Sequence, residues 1–125
     1  MIKSLDHLVI TITDPEATRR FYETGLGMSW TTFGEGREAL AFGRQKINIH
    51  HKGREFEPKA THPSPGSADL CFLTDTPVAD VARHMTDLGY PALEGPVPRT
   101  GATGPLISVY FRDPDGNLIE IANQA

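Results

Sequence analysis

The chain has 125 residues, 38% hydrophobic and 22% charged, with a net charge of −4. That size and balance fit one compact domain, or two half-domains sharing a core, and the acidic sign excludes a global basic field for nucleic acid or anionic membrane. The single Cys71 excludes an intramolecular disulfide, no apolar run approaches a membrane span, and the start through His7 turns polar too early for a signal peptide, so a cytoplasmic protein is expected.

Residues 5–13 alternate and are β-branched, which predicts a first strand. Asp14-Pro15 is a helix start, with Asp as N-cap and Pro at the first helical position, and the helix runs to about Thr24 before Gly25 stops it. Strands follow at about 28–33, 37–43 and 46–51. Residues 52–66, with Gly53, Pro58, Pro63, Pro65 and Gly66, form a boundary. A fifth strand is predicted at about 68–74, a helix capped by Thr76-Pro77 and ending near Leu88-Gly89, and a short sixth strand near 92–94. Residues 95–105 read as a Gly/Pro-rich loop of a length that often marks a lid, with Arg99 inside it. Strand seven is 106–112, Asp113-Pro114-Asp115-Gly116 is a turn, and strand eight is 117–122.

The chain is written twice. A shift of 62 sets His7 on Asp69, Pro15 on Pro77 and Leu26-Gly27 on Leu88-Gly89. Each half reads β-α-β-β-β, about 1–60 and about 67–125, so the expected fold is α+β: two such modules forming a curled mixed sheet around a cavity in a single 1–125 domain. Because strand residues two apart share a face, the alternation leaves His7, Asn48, His50, Asp69, Cys71, Ser108, Tyr110, Arg112 and Glu120 on faces turned away from the helices. Ile47-Asn48-Ile49 and Ile119-Glu120-Ile121 correspond in the repeat, which makes Asn48 and Glu120 symmetry mates.

The opening Leu5-Asp6-His7-Leu8-Val9-Ile10, the Phe21-Tyr22 … Leu26-Gly27-Met28 segment and the closing Asp113-Pro114-Asp115-Gly116-Asn117-Leu118-Ile119-Glu120 resemble the vicinal oxygen chelate superfamily, which includes glyoxalase I, extradiol dioxygenases and the fosfomycin and bleomycin resistance proteins. More narrowly, Gln45–His50, Glu55–Ala60 and Gly95–Ala102 are similar to short glyoxalase-domain proteins labelled virulence proteins. The resemblance implies a divalent metal held from strands one, four, five and eight, with His7 and Glu120 on the first and last of these positions. Asn48 stands where glyoxalase I carries Glu, with His50 two residues on, and Asp69 stands where His is usual.

The metal set expected is therefore His7, His50 and Glu120, with Fe, Ni, Zn, Co or Mn as the ion. Asp69 and Glu120 are the candidate catalytic carboxylates, and Asn48, Tyr110 and Arg112 the candidate substrate contacts, the last two as a clamp for an anion. Cys71 reads as a small buried filler, and His62 and His84 as surface residues. Three functions fit: a glyoxalase-like lyase or isomerase, an Fe(II) extradiol-like dioxygenase, and a non-catalytic small-molecule binding or resistance protein. A homodimer with a small-molecule ligand and no nucleic-acid or membrane partner is expected.

Overall fold

The computed structural model describes residues 1–125. Two compact units follow one another, Met1–Gly66 and Ser67–Ala125.

In unit one, β1 (His7–Ile12) is followed by α1 (Pro15–Arg19), which continues into a π-helical turn, Arg20–Gly25. The Asp14 carboxylate accepts from the backbone N–H of Glu16 at 3.0 Å and of Ala17 at 3.2 Å, so the predicted cap forms. Thr18, Phe21, Tyr22 and Gly25 turn inward at helical spacing. Strands β2 (Ser29–Phe33), β3 (Arg37–Phe42) and β4 (Gln45–His51) complete a mixed sheet of order β1-β4-β3-β2, in which β1 runs parallel to β4. Ile10, Ile12, Leu40, Ile47 and Ile49 fill the helix side of this sheet and are all buried.

Unit two repeats the plan with β5 (Asp69–Leu73), α2 (Val78–Asp87), β6 (Glu94–Thr100), β7 (Pro105–Arg112) and β8 (Leu118–Gln124), in the order β5-β8-β7-β6. The two four-stranded mixed sheets with few helices make the chain α+β, as the sequence predicts. Val78 and Met85 of α2 are buried, as are Val109, Phe111, Ile119 and Ile121 on the strands.

Two local readings are corrected. Of the stretch 95–105 only residues 101–104 are a loop, because β6 runs from Glu94 to Thr100 and pairs with β7, which starts at Pro105. Its prolines are tolerated because β6 is the sheet edge and there is a register shift between Glu94 and Val97. Gly95 sits at φ +105°, and a Cβ there would lie 2.3 Å from the Ser108 carbonyl oxygen, so the bend requires glycine. The second correction concerns α2. Thr76 does not cap it. The Asn123 side chain reaches across from β8, accepting from Val78 N–H at 2.9 Å and donating to the Thr74 and Thr76 carbonyls at 2.9 and 2.8 Å.

The Asp113–Asn117 turn anchors β8. Buried Asn117 accepts from Ala68 N–H at 2.8 Å and donates to the Asp113 carboxylate at 2.7 Å, while Asp113 accepts from the backbone of Asp115 and Asn117. Asp113 and Asp115 thus do turn chemistry, as their spacing around Pro114 predicts. No helix is long and apolar enough to cross a membrane.

Candidate functional site

On the helix-free face of unit one, paired residues lie in rows across the sheet. His7 pairs with Lys46 and Lys46 with Ala41; Val9 pairs with Asn48 and Asn48 with Ala39; Thr11 pairs with His50. Arg37 lies one step beyond the Glu38–Ile49 pair, and Phe33 of β2 pairs with it. His7 is exposed at the strand start, and its Nδ1 is hydrogen-bonded to Asp6 Oδ1 at 2.8 Å. That bond leaves Nε2 as the outward nitrogen, the arrangement in which a carboxylate orients an imidazole for a ligand.

Asn48 is 6% exposed, and its Oδ1 is buried with no hydrogen-bond partner. A buried acceptor left unmade costs about 1–3 kcal/mol, so the position is stabilised when a donor reaches it. His50, 3% exposed, meets Phe56 edge-on at 6.0 Å. Burial, and then the nearby Arg37 guanidinium, hold its pKa below the ordinary imidazole value. Arg37 lies 4.4 Å from the Phe56 ring centre and 5.4 Å from that of Phe33, and Lys46 Nζ lies 3.7 Å over Phe33. On the opposite face His51 pairs with Glu38 at 2.6 Å, and Glu38 also accepts from Trp30 Nε1 at 3.2 Å.

In unit two, Glu120 of β8 lies between Cys71 of β5 and Tyr110 of β7. Buried Ser108 donates its hydroxyl to Glu120 Oε2 at 2.6 Å. Arg99 of β6 donates from Nε to the Tyr110 hydroxyl at 2.8 Å and from Nη2 to Glu94 at 3.3 Å. Burial pushes the Tyr110 phenol up and the Arg99 hydrogen bond opposes it. The Cys71 thiol is pushed up to about 11, first by desolvation and then by Glu120 beside it, so it keeps its proton at neutral pH and is no nucleophile.

The seven residues singled out from sequence fall into two sets. His7, Asn48 and His50 share the helix-free face of unit one; Asp69, Tyr110, Arg112 and Glu120 lie on β5, β7 and β8 of unit two. His7 and His50 do not come together. His50 is opposite Thr11, four residues beyond His7, which offsets the two backbones by about 13 Å along the sheet at ~3.3 Å per residue. The anion clamp of Tyr110 and Arg112 is also not formed. Arg112 is exposed and directed to the Gly116 carbonyl at 3.5 Å, and the guanidinium on Tyr110 belongs to Arg99. Cys71 is exposed, not a buried filler. Asp69 is exposed at the start of β5.

Sequence reasoning missed Arg37, Lys46, Phe33 and Phe56, and it placed Arg99 in a loop. Strand alternation sets Lys46 on the face of Asn48 without pointing to a role for it, and applied to β3 it would have added Arg37; only the fold brings Phe56, from beyond β4, onto Arg37 and His50. Neither unit gathers three His, Cys, Asp or Glu side chains able to hold a metal ion.

A family model described as the Glyoxalase/Bleomycin resistance protein/Dioxygenase superfamily matches residues 4–121. Virulence protein STM3117 of Salmonella typhimurium is 57% identical over 122 residues, covering 98% of this chain and 85% of that protein. Its crystal structure superposes with a TM-score of 0.97 at 56% identity, covering 100% of this chain and 99% of that one. The glyoxalase domain-containing protein RDO1 of Mycosarcoma maydis is also 57% identical over 122 residues, covering 98% of this chain and 69% of that protein. Two remote structures share the fold alone. Lactoylglutathione lyase from Agrobacterium tumefaciens has a TM-score of 0.73 at 21% identity, covering 98% of this chain and 95% of that one. TnmS3, an antibiotic binding protein from a Streptomyces species, has a TM-score of 0.76 at 21% identity, covering 99% and 98%. With the family model spanning nearly its whole length and relatives at more than half identity, the chain belongs to the glyoxalase/bleomycin resistance protein/dioxygenase superfamily.

Proposed function

We propose that this chain is a metal-dependent enzyme of the vicinal oxygen chelate type, a glyoxalase-like lyase or isomerase acting on a small oxygen-chelating substrate. The observation that carries the reading is the His7–Asp6 hydrogen bond, which leaves Nε2 of an exposed imidazole free, on the same sheet face as the unpartnered Asn48 Oδ1. His7 in unit one and Glu120 in unit two are each proposed as a ligand for a divalent ion, and an imidazole nitrogen or a carboxylate suits Fe, Ni, Zn, Co or Mn. His50 stands four residues further along the sheet than His7, which supports leaving it out of the proposed ligands and ranks the two-His-one-carboxylate dioxygenase lower. The bound ion supplies Lewis-acid polarisation of two adjacent substrate oxygens.

The chain's own residues do the rest. Asn48 Oδ1 accepts a hydrogen bond from the substrate. Ser108 fixes one oxygen of Glu120, and Arg99 fixes the Tyr110 hydroxyl, so neither side chain has to reorganise when substrate arrives. Asp69, exposed and unpaired with any cation, is the proton acceptor.

A second reading, a non-catalytic small-molecule binder, is favoured by one observation: Glu120 is already engaged by Ser108 at 2.6 Å. Metal content separates the two. The protein is stripped with chelator, reloaded with each ion and analysed for metal, beside His7→Ala and Glu120→Ala variants checked by circular dichroism. Near-stoichiometric metal, lost in both folded variants, supports the enzyme. No binding under any loading overturns it in favour of the binder.

A further inference from the structure

We infer that the helix-free face of unit one binds a small organic acid: Arg37 and Lys46 take its carboxylate, and a hydroxyl or N–H on the same molecule donates to Asn48 Oδ1. This deepens the proposal above and rests on its reading that this face meets the substrate.

The first ground is that both cations are uncommitted. Ion pairs in the chain join His7 with Asp6, Arg19 with Glu23, His51 with Glu38, Lys59 with Glu57, Arg83 with Asp80 and Arg99 with Glu94; Arg37 and Lys46 are in none of them. The carboxylates nearest this end of the face are spoken for. Glu55 accepts from Gly53 N–H at 3.1 Å, and Glu57 is paired with Lys59. The second ground is that the cations are nonetheless positioned. Arg37 stacks on Phe33 and Phe56, and Lys46 sits over Phe33, reaching it above the small Ala39 and Ala41 of β3. An aromatic face holds a cation in place without neutralising it, so its charge stays available to an anion.

The third ground is independent of charge. Asn48 stands on β4 between Lys46 and His50, in a row with Val9, Ala39 and Thr31; Val9 and Ala39 have no side-chain donor, and Thr31 gives its hydroxyl to the Ala39 carbonyl at 3.4 Å. Its buried oxygen therefore lacks a donor within its own sheet. A ligand that offered only negative charge would leave this oxygen facing a second acceptor. One that pairs a carboxylate with a nearby O–H or N–H satisfies both ends.

The test is an amide-correlation NMR titration of the metal-free, full-length protein with glycolate, acetate and neutral glycolamide. Glycolate is expected to move the backbone signals of residues 37–41 and 46–50, and glycolamide to leave them. Arg37→Gln and Lys46→Gln should each weaken glycolate about tenfold, the loss of one charge-assisted contact. Asn48→Ala should weaken glycolate while leaving acetate unchanged. If Arg37→Gln loses its dispersed spectrum, Lys46→Gln carries the charge test alone. Glycolamide binding as well as glycolate, wild-type glycolate affinity in the folded charge variants, or no response to glycolate would overturn the inference. Because no metal is present, a failure here leaves the metal-content experiment to stand or fall by itself.

Discussion

Asn117→Ala tests the account of how β8 is placed. Asn117 is 2% exposed, and its side chain makes two bonds, accepting from Ala68 N–H at 2.8 Å and donating to the Asp113 carboxylate at 2.7 Å. Alanine removes both. Asp113, 5% exposed, then keeps its two backbone donors and loses the third, a hydrogen bond to a charged group worth about 1.5–3 kcal/mol. Ala68 N–H, half-buried, loses its acceptor at about 1 kcal/mol. The sum is about 3 kcal/mol, a large share of the ~5–15 kcal/mol available to a domain. In urea, with a slope of ~1–3 kcal/mol per molar, the midpoint should fall by about 1–3 M without a change of slope. Asn117→Asp keeps the acceptor but sets a second carboxylate against Asp113, and should cost at least as much. A loss under about 0.5 kcal/mol in Asn117→Ala would refute the view that this side chain fixes β8 against the start of β5.

Asn123→Ala removes the remote cap of α2 and should cost about 1–2 kcal/mol, with faster amide exchange in the first turn of α2 and unchanged exchange in α1. The folded-state pKa of His50 is lowered, by burial first, so the unfolded chain binds more protons below its ordinary value of 6.5; stability should fall as pH drops through that region, and by less in His50→Gln, as denaturant midpoints at pH 7.5 and pH 5 would report. Ala39→Ser places a hydroxyl in the row of Asn48 and gives Oδ1 a donor of its own, so it should raise stability by about 1 kcal/mol while weakening glycolate; a variant that binds glycolate as wild type does would detach Asn48 from ligand binding.

The repeat, the strand alternation and the Asp14 cap of α1 were legible because each depends on residues close in sequence. Asp14 caps α1 through N–H groups two and three residues away. Asn123 caps α2 from 45 residues away, and nothing local marks it. The prolines of 95–105 read as a loop because proline breaks a central strand, and which strand lies at the edge is a property of the whole sheet. The candidate site divides the same way. Alternation put His7, Asn48 and Glu120 on the helix-free faces. Register, which only pairing reveals, then separated His7 from His50 along β1 and β4. Arg99 was misread along with its strand, and so Tyr110 was given the wrong guanidinium.

Asn48 and Glu120 occupy one position in the repeated plan, on the strand that pairs in parallel with the first strand of its unit, and the rows they sit in explain their different states. In unit two the row runs Cys71, Glu120, Tyr110, Glu94, and buried Ser108 adds a donor from the neighbouring row, so the carboxylate is met by groups of its own sheet. In unit one the row runs Val9, Asn48, Ala39, Thr31. Thr31, the one hydroxyl there, donates instead to the Ala39 carbonyl at 3.4 Å. The same backbone position is thus satisfied internally in one unit and left open in the other. A fold that only had to be stable would lose nothing by a serine at Ala39. The small apolar residues around Asn48, with two cations held on aromatic rings beside them, are what a surface keeps when the missing donor arrives with a ligand.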